Sequence, residues 1–359
     1  MTRVNHIRLM VSAIGVAAIA LLAANAAHLI GAPAFKVDKY DIKGEGGTDY
    51  VTVESATGRV FVSRSTHMMV VDGATGKVVG DIADTPGVHG AGLVTKVGHG
   101  FTTNSGDQTV TMFDLKTLAP IKKIKIGPGL DGIMYDADDD KVILTNHSRP
   151  IGTLTALDPR SGDIVATVEL EDTAPEGAAA DGKGRIFVNN ESKNTIQVID
   201  VRTWKPVASW PLAPCDGPTG IAYDKATNRI FSGCSKTSVV VDASSGKVVA
   251  SIPNGTRVDA LGWDSEQKLI YIPNGGEGNV TVVHQDGADK YSVVATVATV
   301  PGAKTITVDQ KTHHVYLFQP QRGPAPPPSA DAPAPPAGQR GRGPQGPIIA
   351  AWFVAIRPS

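Results

Sequence analysis

Residues 220–249 hold four short runs in succession: Gly220-Ile221-Ala222-Tyr223-Asp224, Arg229-Ile230-Phe231-Ser232, Val239-Val240-Val241-Asp242 and Ser245-Gly246-Lys247-Val248-Val249. Each is too short for a helix and is bounded by the Gly, Asp, Asn and Ser residues that make tight turns. The third run recurs as Met69-Val70-Val71-Asp72, Thr111-Met112-Phe113-Asp114, Thr155-Ala156-Leu157-Asp158 and Gln197-Val198-Ile199-Asp200. From Asp72 to Asp242 the spacings are 42, 44, 42 and 42, and Thr281-Val282-Val283-His284 follows after 42 more, with His in place of Asp. The second run returns as Arg59-Val60-Phe61-Val62, Lys141-Val142-Ile143-Leu144 and Arg185-Ile186-Phe187-Val188. The repeating unit is therefore four strands, a to d, joined by turns.

Four strands in ~40–45 residues is the period of a β-propeller blade. Setting aside a leader and a Pro-rich insertion leaves roughly 306 residues, enough for seven blades. They fall near 45–84, 85–127, 128–170, 171–212, 213–254, 255–299 and 300–359. The seventh unit ends before a fourth strand, whereas Phe35-Lys36-Val37-Asp38-Lys39-Tyr40-Asp41-Ile42 is a d-like strand without a blade. The sequence thus predicts an all-β, seven-bladed β-propeller over 35–359, with four antiparallel strands per blade and the last blade closed by the N-terminal strand. The composition agrees: Gly (39 of 359) and Pro (25) exceed the needs of a helix bundle. Lys plus Arg (34) balances Asp plus Glu (35), which gives no electrostatic case for a nucleic-acid partner.

Both ends carry additional signals. No charged side chain occurs from Leu9 through Phe35, behind Arg3 and Arg8, and Ala24-Asn25-Ala26 has the small residues of a cleavage site. Residues 1–26 read as a signal peptide, with Ala32-Pro33-Ala34 as a second site and an uncleaved anchor as the alternative. Membrane contact is expected only for the anchor. The chain is then periplasmic or secreted. Residues 320–347 contain ten prolines and read as a disordered Pro-rich insertion in the last blade, since the apolar run Ile348–Ile356 follows them. Its PPII character and arginines could recruit a partner.

The runs Val142-Ile143-Leu144-Thr145-Asn146, Ile186-Phe187-Val188-Asn189-Asn190 and Ile270-Tyr271-Ile272-Pro273-Asn274 resemble a Tyr-Val-Thr-Asn signature. The chain is similar to the YVTN family of exported seven-bladed propellers over about 36–318 and 348–356. The WD-repeat family fits less well, because Trp263-Asp264 is the single such dipeptide. The resemblance implies an architecture and a binding scaffold more than a particular site.

The Asp series at 72, 114, 158, 200 and 242 reads as structural, each carboxylate capping the amides of a c–d turn. Asp136, Asp181, Asp224, Asp264 and Asp309 read the same way at the a–b turns. The d–a and b–c loops share one face, and there the repeats diverge. Asp49, His89, Asp131, Glu176, Thr219, Asp259 and Lys304 directly precede the innermost strands and should ring the mouth of the channel. Of these, His89, Asp131, Glu176, Asp259 and Lys304 are ligand-binding candidates, with His67, His147 and Arg149 from the b–c loops. Such a ring could hold water alone, a hard cation such as calcium, or a transition metal. No fixed ligand spacing marks a metal site, and no cofactor is expected. The two cysteines, Cys215 and Cys234, lie in neighbouring loops of blade five and are predicted to form a disulfide in an oxidising compartment.

No nucleophile elbow, His-Glu-x-x-His, Walker A or haem-attachment motif is present. The favoured reading is a non-enzymatic, monomeric binding scaffold that docks a protein or small ligand on the loop-rich face over the channel. Two alternatives stand beside it. One is a lactonase-like, metal-dependent hydrolase resembling the calcium-dependent gluconolactonases, in which Glu176 and Asp259 act with Asp131 or His89. The chain departs from those enzymes in blade number and motif. The other is an accessory subunit of a periplasmic redox system.

Overall fold

The computed structural model describes residues 34–325 and 346–358. Among them are twenty-eight β-strands and no helix. The strands form seven separate four-stranded sheets. Six are simple antiparallel meanders, such as Ile221–Asp224, Arg229–Ser232, Thr237–Asp242 and Val248–Pro253 in blade five. The seventh orders its strands as Phe35–Asp41, Ile348–Pro358, Val315–Arg322 and Thr307–Val308, so the N-terminal strand is its strand d. The register runs from Phe35 opposite Pro358 to Asp41 opposite Trp352.

Burial is graded along each blade. Strands b and c are nearly all buried, as in Arg59–Ser63 and Met68–Asp72, because neighbouring blades cover both faces. Strand d is the solvated rim, and in Pro120–Lys125 all but one residue is exposed. The few aromatics are spent between blades: Phe61 meets Phe113 at 5.9 Å and Phe231 meets Trp263 at 4.8 Å between ring centroids. Strand a is crowded by convergence on the axis. At Gly220 a Cβ would lie 2.2 Å from the carbonyl carbon of Ala260 in the next blade, so glycine is a steric requirement at that position.

The c–d turns behave as expected. The Asp72, Asp114, Asp158, Asp200 and Asp242 carboxylates accept the amides of Thr75, Thr117, Ser161, Thr203 and Ser245 at 2.9, 2.7, 2.9, 3.0 and 2.9 Å. The Ser161 amide, with that of Arg160, holds the Asp158 carboxyl below its ordinary range. A depressed folded pKa stabilises above the unfolded value and loses that effect as pH falls through the folded one. Asp158→Ala should cost about 1 kcal/mol at neutral pH. Asp158→Asn should cost less, and its deficit should vanish as pH drops well below ~4. Denaturation midpoints of the three proteins at neutral and strongly acidic pH check this; a deficit of Asp158→Asn that persists in acid would sink it. In blade six His284 leaves the series: its Nδ1 lies 2.8 Å from Asp286, and strands c and d lengthen to Asn279–Gly287 and Lys290–Ala298.

The insertion does follow strand b of the last blade, but that strand pairs through Arg322, opposite Ile348. Pro320, Gln321 and Arg322 therefore belong to the sheet, and the insertion starts at Gly323 instead of Pro320. Pro320 sits opposite Ala351 near the end of the ladder, a position that tolerates a missing N–H. The disorder expected for 326–345, and the signal peptide at 1–26, lie outside the described residues.

Candidate functional site at the channel mouth

Hydrogen bonds between blades fix the start of each inner strand. Thr103 Oγ1 donates to Asp131 O at 2.7 Å, Thr219 Oγ1 to Val258 O at 3.0 Å, and Thr305 Oγ1 to Asp49 O at 2.6 Å. The Tyr50 amide donates to His89 O at 3.1 Å and the Asp259 amide to Lys304 O at 3.1 Å. The d–a residues are thus held by backbone, and their side chains turn to the channel.

Four of them converge with one b–c residue, His147, and with Tyr50. His89 Nδ1 lies 2.5 Å from Asp49 Oδ2 and 3.0 Å from Asp131 Oδ1. The other oxygen, Asp131 Oδ2, lies 3.0 Å from His147 Nε2, which is also 3.2 Å from Glu176 Oε1. Tyr50 Oη donates to Glu176 Oε2 at 3.1 Å. The result is one chain of contacts, Asp49–His89–Asp131–His147–Glu176–Tyr50, across blades one to four and back to blade one. Opposite it, Lys304 is ion-paired with Asp259.

The electrostatics follow from burial and charge. Burial would lower the His89 and His147 pKa values, but the carboxylates of Asp131, Asp49 and Glu176 outweigh it and hold both near about 10. Asp131 is correspondingly held below its ordinary range by His147 and His89 against the cost of burial. Glu176 goes the other way, raised to about 7 by burial and by the nearby Asp131 and Asp259 charges. Burial likewise raises Asp259 despite Lys304.

The remaining predicted residues lie elsewhere. His67 Nε2 is 3.6 Å from Asp81 and its Nδ1 is 3.0 Å from Thr66 Oγ1, away from the cluster. Arg149 is exposed. Thr219 spends its hydroxyl on the blade contact described above. Tyr50 was not a candidate from the sequence; only its place next to Asp49 could have suggested it. Cys215 and Cys234 form the expected disulfide, with Cα atoms 5.7 Å apart. A cavity of about 1050 Å³ opens beside the cluster, its wall including Asp49, His89, Arg257, Lys304, Arg322 and Trp352. A second, of about 710 Å³, adjoins it at Glu191, Asp216, Arg257 and Asp259.

No family model matches this sequence, and no curated protein matches it. Solved structures do. A chain of the Kuenenia stuttgartiensis hydrazine synthase superposes with a TM-score of 0.67 at 17% identity, covering 77% of this chain and 93% of that one. A chain of a mitotic checkpoint complex gives 0.68 at 14% identity, covering 88% and 95%. The RRP9 WD40 repeats give 0.74 at 9% identity, covering 90% and 98%. At these identities the likeness concerns the fold.

Proposed function

We propose that this chain is an exported, non-enzymatic scaffold of the YVTN type that docks a protein or small ligand over the channel mouth. The observation that carries the reading is the large polar cavity on the d–a/b–c face, with a stacking surface at Trp352 and cations at Arg257 and Arg322. Its base is the charged cluster, and the Pro-rich insertion springs from its rim. The last blade is completed within the chain by its own N-terminal strand, which fits a monomer. The disulfide fits an oxidising compartment. Among the described residues no helix is long and apolar enough to cross a membrane. A propeller of similar fold stands in a solved checkpoint complex, in keeping with a protein partner.

Affinity capture from the exported fraction tests the reading. The wild-type chain and a variant with Lys116→Glu, in a c–d turn, should retain the same partner or ligand; Arg257→Glu with Arg322→Glu should lose it. Equal capture by all three would overturn docking on this face. A second reading, the lactonase-like hydrolase, is favoured by the meeting of two imidazoles with three carboxylates. Lactone turnover abolished by EDTA would establish it in place of the scaffold.

A further inference from the structure

We propose that the channel mouth binds a pair of first-row divalent metal ions, one held by Asp49 Oδ2, His89 Nδ1 and Asp131 Oδ1, the other by Asp131 Oδ2, His147 Nε2 and Glu176 Oε1, with the Asp131 carboxylate bridging them. The donor atoms of each set lie within 4.8 Å of one another. Neighbouring donors on an ion with bonds of ~2.0–2.2 Å stand about 3 Å apart. The contacts of 3.0, 3.0 and 3.2 Å from the two imidazoles to Asp131 and Glu176 have that spacing.

Two further observations bear on this arrangement. The first is the orientation of the His89 ring. Ser105 Oγ donates to Gly87 O at 3.1 Å, so it has no proton left for His89 and accepts from Nε2–H at 3.1 Å. The ring is thereby turned so that Nδ1 faces Asp49 Oδ2 and Asp131 Oδ1, the two oxygens of the first donor set. The second is His147 Nε2, which is shielded from solvent and makes no aligned hydrogen bond, although two carboxylate oxygens are within 3.2 Å. The two oxygens belong to the other members of the second donor set, Asp131 and Glu176.

The surroundings supply the outer contacts that metal ligands need. Ser105 orients His89, and Tyr50 holds Glu176 Oε2 so that Oε1 faces His147. Asp131 and Glu176 are 8% and 6% exposed, so the bridging side is shielded while the other side opens to the cavity. Imidazole with carboxylate donors selects Mn²⁺, Co²⁺ or Zn²⁺ over Ca²⁺ and Mg²⁺, which prefer all-oxygen sets. Only three protein donors serve each ion, leaving positions for water or for the oxygens of a docked anion. The proposal shares its face with the scaffold reading but does not need a partner, so metal analysis and capture can fail independently.

The test uses the full chain, stripped with chelator and reloaded with Zn²⁺ or Mn²⁺. Wild type should retain two equivalents of Zn²⁺ through desalting. His89→Ala and His147→Ala should each retain one, and Asp131→Asn none. Ser105→Ala should weaken one of the two ions roughly 10-fold or more. The Mn²⁺-loaded wild type should show the EPR spectrum of an exchange-coupled pair, a readout that needs no variant to fold. Zero or one equivalent in wild type, two uncoupled Mn²⁺ ions, a preference for Ca²⁺, or metal content unchanged in all variants would overturn the proposal.

Discussion

Deletion of residues 35–41 should abolish the soluble, cooperatively melting ring. This strand supplies seven paired positions to Ile348–Pro358. Phe35 packs edge-on to Tyr271 at 6.3 Å, and Val37 joins the core that contains Val354 and Ile356. Lys39 donates to Thr299 O at 2.7 Å, Asp38 pairs with Arg357 at 2.8 Å, and Asp41 accepts the Ala351 amide at 2.9 Å. Without it the eleven-residue strand Ile348–Pro358 becomes an open edge that presents Phe353, Val354, Ala355 and Ile356. An edge that long and apolar recruits other chains. The loss is comparable to the ~5–15 kcal/mol that holds a typical domain together. Size-exclusion chromatography should show aggregates, and calorimetry should show no sharp transition. A monomer that melts within a few degrees of wild type would refute the closure role.

The second large effect is expected at Arg64. It is fully buried, and burial lowers its pKa to about 10, so it stays charged at neutral pH. Its guanidinium donates to Lys43 O at 2.9 Å and Gly44 O at 2.8 Å and lies 4.7 Å over the Phe318 ring. It thereby joins blade one to the chain leaving the closing strand and to blade seven. Arg64→Ala strands two carbonyls and opens a cavity, at a cost of roughly 3–5 kcal/mol. Arg64→Lys recovers only part, because an ammonium cannot fork to both carbonyls. Thermal melts should fall by roughly 10 °C for the alanine variant. Freeing residues 43–47 should also loosen Asp49, so the alanine variant should bind metal more weakly than the lysine one. A shift within a degree or two would rule out this anchoring role.

Much of the fold is legible because the information is local and repeated. An Asp followed by a turn about every 42 residues, five times over, fixes strand, turn and next strand together and leaves little freedom for another topology. The closing strand could be read because one blade lacked a strand and one strand lacked a blade. The d–a ring was legible for the same reason: position in the repeat dictates position around the axis. His67 and His147 show where this ends. Both are b–c residues, yet only His147 reaches the cluster. Gly129 has φ +71° and no side chain, and a Cβ there would lie 1.5 Å from His147 O. That gap lets the His147 backbone settle against the blade, with its amide donating to Gly129 O at 2.6 Å. In blade one the loop closes on itself through Arg64 N to His67 O at 3.0 Å, and the imidazole is left beside Asp81. The two also differ in repeat position: His147 directly follows strand Lys141–Asn146, whereas His67 directly precedes strand Met68–Asp72. Arg64 is a similar case, a polar loop residue buried by a segment twenty residues earlier in the chain.

The closing strand also sets a schedule. Phe35 emerges from the ribosome more than three hundred residues before Pro358, its partner. Contacts so distant in sequence form late, since the chain between them must be made before the ends can meet. Throughout that interval the first strand waits without a partner, beside six blades that can begin to fold. Its composition suits the wait. Lys36, Asp38, Lys39 and Asp41 make four of its seven residues charged, which discourages pairing with the wrong edge. Strand Ile348–Pro358, the last of the described strands to be made and apolar at its centre, needs no such protection, because its partner is already there when it arrives.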